Sequence, residues 1–342
     1  MSQFVLRQWG DLPDLVARAR LSTRFIDANG NLVAVLFRAP LVNHTSKVTT
    51  PAEYVELYGK QAREIPDLKS TATLYQFLWE LVEDIDREVM ADFQYVVRSG
   101  GSAHLHAGST ILNADDVVLG EGAVIYPGAV IDATKGPVFI GANTRVEAHA
   151  AIYGPCAIGA NCLVTAGKFA ESSIGSHCRV GGEVEASVFQ SCVNKYHAGF
   201  IGHSYVGSWV NFGAMTTNSD LKNNYSTVRV QVDGQSIDSG SIKVGSFIGD
   251  HTKFGIGTLL NTGIVLGVCC NVFGGALVSD KDVPSFRWGG SARWETHEFD
   301  KAMETAARTA ERRQQKLSDV ERALLKKVCD GAIGSSGCLG FE

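Results

Sequence analysis

The feature that most constrains this chain is a ladder of six-residue steps. A large apolar residue, often followed by glycine or a small polar residue, stands at Leu119, Ile125 and Ile131. It recurs at Ile140, Val146, Ile152, Ile158 and Val164, then at Ile174 and Val180. After an interruption it returns at Ile248, Phe254, Leu260, Leu266 and Val272. Four positions beyond most of these sits a small or compact side chain: Ala123, Ala129, Thr144, Ala150, Cys156, Cys162, Cys178, Thr252, Thr258 and Cys270. A step of six matches neither a helix nor a simple alternating strand. It fits a short strand plus a tight turn, three of which close one triangular coil. The large apolar residue points inward, glycine takes turn conformations closed to other residues, and the small side chain fits the crowded interior. Parallel coils stack at about 4.8 Å, so residues one coil apart in sequence lie above one another. The expected fold is mainly β: a parallel β-helix of roughly eight coils between about residues 105 and 283.

The cysteines follow the ladder. Of the eight in the chain, Cys156, Cys162, Cys178 and Cys270 occupy its small inward position, and no CxxC pair occurs. They read as small buried hydrophobes; no disulfide and no tightly bound metal is expected. The net charge of −5 gives no electrostatic reason to expect nucleic acid or an anionic membrane as partner. The opening MSQFVLRQWGD lacks a secretory pattern and no apolar run is long enough to span a bilayer, so a cytoplasmic protein is expected.

Interruptions of a rigid ladder are where function tends to lie. One is KFAES (168–172), where Lys168 falls on a position expected to be small and inward. A second covers residues 186–200. The longest is TNSDLKNNYSTVRVQVDGQSIDSGSIK (217–243), in which VRVQV alternates like a short strand. The stretch VNKYHAGFIGH (193–203) places Lys195, His197 and His203 at the second break.

Residues 1–100 carry no hexads. LPDLVARAR and TLYQFLWELVEDIDREVMADF have helical periodicity, the second with Leu74, Phe77, Leu78, Leu81, Val82 and Ile85 on its apolar face. FIDANGNLVAVLF reads as a hairpin about Asn29-Gly30. No Gly-rich phosphate loop is found there. Beyond the ladder, Pro284 and Gly289-Gly290 suggest a turn. EFDKAMETAARTAERRQQ suggests a helix with Phe299, Met303, Ala306 and Ala310 on one face. Ser318 to Glu321 form a capping-box pattern opening a last short helix, and GAIGSSGCLGFE is expected to fray.

From VNKYHAGFIGHSYVGSWVNFGAMTTNSDLKNNYS onward the ladder resembles one family. It is similar to the acetyltransferase half of bifunctional N-acetylglucosamine-1-phosphate uridylyltransferase/glucosamine-1-phosphate acetyltransferases, especially an alternative bacterial branch, over roughly residues 100–290. The resemblance implies a left-handed winding and a division into three parts. These are a nucleotidyltransferase-like α/β remnant at 1–100, a hexapeptide-repeat acyltransferase domain at 101–285, and a helical tail at 286–342. It also implies acetyl-CoA as cosubstrate, a homotrimer, and an amino-sugar phosphate as acceptor in nucleotide-sugar synthesis. His197 matches the family's catalytic histidine, whose ordinary pKa near 6.5 suits a general base. Lys195, Lys168, Arg179, Asn211, His203 and Asn224 become substrate-binding candidates. Gly213, Ala214, Gly255 and Gly274 become candidates for the oxyanion and acetyl-CoA contacts. The chain departs from the family at Phe200, where a tyrosine is usual, and at His203, where an aspartate is usual. Glu185-Ala186-Ser187 stands in place of a lysine-rich segment.

Three other readings stay open. His177, His197 and His203 could serve as zinc ligands of a hexapeptide carbonic anhydrase. The prism could be a non-catalytic scaffold. A sugar-1-phosphate nucleotidyltransferase is also possible, but only with coding sequence upstream to supply the Gly-rich loop.

Overall fold

The computed structural model describes residues 5–8, 10–19, 23–30, 32–36, 67–96 and 102–336. The chain separates into two compact units, one spanning 1–81 with 318–325 and the other 82–317 with 326–342. In the first unit, Thr23–Ile26 and Leu32–Leu36 form the expected hairpin, with Gly30 in the left-handed region at φ 85°. Asp67–Lys69 pairs parallel to Thr23–Ile26, and Val5–Gln8 pairs antiparallel to Thr73–Tyr75. Helix α1 (Leu12–Arg18) supplies Leu12, which packs with Phe25 and Ala72.

The long helix expected after Leu74 is not continuous. Thr73–Tyr75 is a strand, followed by α2 (Leu78–Glu83) and α3 (Ile85–Phe93), which are separated at Asp84. The buried stripe is Trp79, Val82, Ile85 and Val89, whereas Leu78 is exposed.

The second unit is dominated by a parallel β-solenoid of about ten turns. Its three faces are rows of short parallel strands. Face A runs from His104–Leu105 to Arg287–Gly290, face B from Thr110–Leu112 to Leu277–Val278, and face C from Val117–Leu119 to Asp282–Val283. The inward ladder on face A is Ile125, Val146, Val164 and Val180 in direct register. Face C stacks Leu119, Ile140, Ile158, Ile174 and Phe189 likewise. Full burial of such side chains contributes about 1.5–3 kcal/mol each, enough to hold rungs most of which are only two to four residues long. Cys156, Cys162, Cys178 and Cys270 are buried within this stack, and all seven cysteines among the described residues are free thiols.

More coils exist than the hexads indicate, because the stretch 186–218 continues the solenoid. Val188–Phe189, Asn194–Lys195, Phe200–Gly202 and Tyr205–Val206 are all rungs. Only the turns between them change length, which dephases the six-residue pattern without ending the coils. Two long strands, Leu163–Ala170 and Arg179–Glu185, run around the edge from face A to face B, with a register shift between Val164 and Gly167. That shift corrects the expectation for Lys168. Phe169 takes the inward place, and Lys168 points outward. At the bend a Cβ on Gly167 would overlap the Gly182 carbonyl oxygen of the next coil, so a side chain is excluded there.

The edge between faces C and A departs from the glycine rule. Its left-handed positions carry Asn161, His177, Cys192, Trp209, His251, Cys269 and Phe286, with φ between 57° and 65°. Each donates its backbone N–H to the neighbouring coil, for example Cys192 to Ser176 and Trp209 to Ser191, which offsets the strain of that conformation.

The excursion 217–243 opens with a rung, Thr217–Asn218. It then forms the hairpin Arg229–Val232 with Gln235–Asp238, as VRVQV suggests. Gly289 and Gly290 lie in a strand paired antiparallel with Arg293–Thr296, so they are not the turn. Helix α4 (Phe299–Glu311) buries Met303, Ala306 and Ala310 as expected, with Ala302 beside them, while Phe299 is half-buried. Helix α5 (Asp319–Ser336) opens with the Ser318 hydroxyl accepting the Glu321 N–H at 3.1 Å. It is longer than expected and includes Gly331–Ser336; residues 337–342 lie outside the described set.

Candidate active site on the edge of the solenoid

Lys195 occupies the inward position that valine holds one coil earlier, in register with Val180, and it is 2% exposed. Its four-methylene stem replaces an aliphatic side chain, but its ammonium needs acceptors. The bend that follows supplies them. Nζ donates to the carbonyls of Gly181 at 2.7 Å, Gly199 at 2.7 Å and His197 at 3.2 Å. Burial pulls its pKa down to about 8, against a smaller opposing effect of Glu183. The substrate-facing placement expected for Lys195 is therefore not found; the side chain holds the bend from inside.

The bend carries His197 outward. It lies between the rungs Asn194–Lys195 and Phe200–Gly202, at the edge joining faces A and B, and it is exposed. Its ring stands edge-on to Tyr196, with centroids 5.2 Å apart.

A second polar cluster lies on face B and its far edge. His203 Nδ1 is 2.7 Å from Asp220 Oδ2, and both side chains are about 15% exposed. Burial acts to raise the Asp220 pKa, but the hydrogen bond and charge of His203, with Lys243, outweigh it and leave the carboxyl lowered. Glu185 is 2.9 Å from Lys168 and 3.7 Å from Lys243; Lys168 also reaches Glu183 at 3.3 Å. The Glu185 bond raises the Lys168 pKa, and Lys168 lowers that of Glu185. Asp220, Glu185 and Lys243 are functional candidates that motif reading missed. The signal was the separation of 17 residues between His203 and Asp220, about one coil.

The remaining candidates are dispersed. Gly213 packs against the backbone of Gly255, where a Cβ would come within 2.5 Å of its carbonyl carbon, so close packing of coils accounts for it. The Ala214 carbonyl accepts the Gly257 N–H at 2.8 Å on the same edge as His197. Gly274 lies further along that edge at φ 117°, with open space around it. Asn224 is exposed in the excursion, its Oδ1 accepting the Ser226 N–H at 3.1 Å. Asn211 is paired through its side chain to Asn194 at 2.9 Å on face A, where it lines a cavity together with Arg179. His197 is not among the residues lining that cavity.

No protein-family model matches the chain. Among curated proteins it is similar to the bifunctional sugar-1-phosphate nucleotidylyltransferase/acetyltransferase of Sulfurisphaera tokodaii. The two are 35% identical over 97 residues, 28% of this chain and 24% of that protein. The bifunctional protein GlmU of Cyanothece is 25% identical over 293 residues, covering 80% of this chain and 55% of that protein. Over these stretches the chain is similar to GlmU proteins. The chain spans between a quarter and about half of the length of these relatives. Among solved structures, LpxA from Acinetobacter baumannii is 16% identical over 55% of this chain and 71% of that one, with a TM-score of 0.34.

The three histidines of the zinc reading lie on three different edges of the solenoid. His177 is on the edge between faces C and A, His197 between A and B, and His203 between B and C. They do not converge within one chain, and among the described residues no group of three or more His, Cys, Asp or Glu is placed to hold a metal. Among the same residues no helix is long and apolar enough to cross a membrane.

Proposed function

We propose that the chain is an acyl-CoA-dependent N-acyltransferase acting on an amino-sugar derivative, with acetyl-CoA as donor and an amino-sugar phosphate as acceptor. The observation that carries this reading is the bend at 196–199. A buried ammonium anchors its carbonyls from inside while His197 is presented to solvent on the solenoid edge. A relative named as a bifunctional sugar-1-phosphate nucleotidylyltransferase/acetyltransferase supports the same chemistry.

In the reaction, the acceptor amine attacks the thioester carbonyl carbon. A C–N bond forms, the C–S bond breaks, and the coenzyme leaves as its thiolate. The proton lost by nitrogen passes to the His197 imidazole and from there to the thiolate. Backbone N–H groups of the adjacent turn at Ala214, on the same edge, would stabilise the oxyanion. His203, oriented by Asp220, would contact the acceptor, and the face-B cations Lys168 and Lys243 would lie along its path.

A homotrimer belongs to the same proposal. Met215, Ile256, Leu259, Phe273 and Leu277 are exposed along the A/B edge and face B, an apolar strip that a second copy of the chain would cover. Acetyl transfer assayed over a panel of amino sugars and their 1-phosphates, with wild type and His197→Ala, tests the reading. Absence of transfer to every acceptor would overturn it.

A further inference from the structure

Face A carries a second, differently built site. An open cavity of about 300 Å³ lies between the solenoid and the end of helix α4, and its walls include Arg179, Trp209, Lys253, Arg312 and Arg313. Arg179, Asn194, Asn211 and Lys253 are successive outward positions of one ladder, joined by parallel pairing from coil to coil. The helix brings Arg312 and Arg313 over them from the other side. No acidic side chain lines the cavity.

Four cations thus converge without a counter-charge. Among the described residues none of the three arginines forms a side-chain ion pair or hydrogen bond, and the Arg313 Nε is buried without a partner. Lys253 has one, the carbonyl of Trp209 at 2.5 Å. Burial lowers the Arg313 pKa, and the charges of Arg179 and Arg312 lower it further. Burial likewise brings Lys253 down to about 8. Like charges gathered around one cavity destabilise it when it is empty. Elsewhere on the same helix Arg308 is neutralised by Glu304 at 2.5 Å.

We infer that this cavity is a binding site for a phosphate-bearing small molecule, separate from the His197 edge. Arginine forks match phosphate oxygens in paired hydrogen bonds, and several converging cations favour a diphosphate over a single charge. The Trp209 indole offers an aromatic wall for a base, so the phosphate comes either from a free anion or from a nucleotide.

Calorimetric titration of the full chain with pyrophosphate, inorganic phosphate and a nucleoside diphosphate tests this without any acyl-transfer measurement. Pyrophosphate should bind saturably, and Arg313→Gln should weaken it by roughly tenfold and Arg179→Gln/Arg313→Gln by roughly a hundredfold. Arg308→Gln on the outward side of the helix should leave the affinity unchanged. The melting temperature of unliganded Arg313→Gln should equal or exceed wild type, since a repulsive charge is removed. Arg312→Gln, at an exposed position, provides the same affinity test if Arg313→Gln does not fold. Tighter binding of the nucleotide that is lost in Trp209→Leu identifies a nucleotide site; equal binding of pyrophosphate identifies a free-anion site. No saturable binding of either, or equal affinity in wild type and the double variant, would overturn the inference. So would a matching loss in Arg308→Gln, which would make the effect one of overall charge.

Discussion

The Lys195 ammonium donates to the Gly199 carbonyl at 2.7 Å from inside the solenoid, across the bend that carries His197. A charged group has thereby replaced an aliphatic rung, and its hydrogen bonds fix the shape of the exposed loop. The cost of burying the charge is offset only while all its acceptors are present.

Lys195→Met tests this relation, because it keeps the apolar stem and removes the charge. It strands the Gly181 carbonyl among others, so a loss of about 1–3 kcal/mol in unfolding free energy is expected, read by denaturant titration. Its pH dependence has a definite sign. The Lys195 pKa is about 8 folded against an ordinary 10.5, so between those values the unfolded chain holds more protons. The contribution of Lys195 to stability therefore rises from pH 8 to 10.5. The stability difference between wild type and Lys195→Met should widen over that window. A difference that stays flat would show that the folded-state pKa is not depressed.

His197→Ala should leave melting nearly unchanged, since the side chain is exposed and outside the core. It should lower acetyl transfer roughly 10²–10⁴-fold, the worth of a positioned general base. The ascending limb of the pH profile of kcat/KM should vanish in the variant. Wild-type turnover on every acceptor would remove His197 from the mechanism.

His203 and Asp220 should behave as one unit. A double-mutant cycle of His203→Gln and Asp220→Asn should give a coupling of about 0.5–3 kcal/mol in stability. The Asp220 pKa is lowered on folding, so its contribution is present above the ordinary value of 3.8 and lost as pH falls through the folded value. Wild type should thus lose more stability on acidification than Asp220→Asn. In catalysis, His203→Gln should act mainly on KM. A selective fall in kcat as large as that of His197→Ala would instead make His203 the base.

The buried thiols should be inert to conditions that disturb disulfides or metals. Burial raises Cys156 and Cys269 to about 12 and Cys270 to about 11, which leaves little thiolate at neutral pH. Reductant and chelator should leave the melting temperature and acetyl transfer unchanged. Loss of activity with chelator, restored by zinc, would revive a metal mechanism.

The sequence by itself determined the solenoid, because its period is written in most of the coils. An inward apolar residue and a small residue four positions later are enforced by the narrow interior wherever a turn has standard length. It also marked the A/B edge at His197, through the family motif and the break in step. Only the tertiary structure decided what happens where turn lengths change. The rungs at 188–206 lose the six-residue phase and still stack, because backbone pairing between coils does not depend on that phase. Lys195 read as a substrate contact because the implied sugar phosphate needs cations, and only the three converging carbonyls show that its charge is spent inside the solenoid. The pairing of His203 with Asp220 and the gathering of Arg179, Lys253, Arg312 and Arg313 join residues from different coils and from the returning helix. Such contacts depend on which face each coil presents and where the helix comes to rest, and no local pattern in the sequence encodes either.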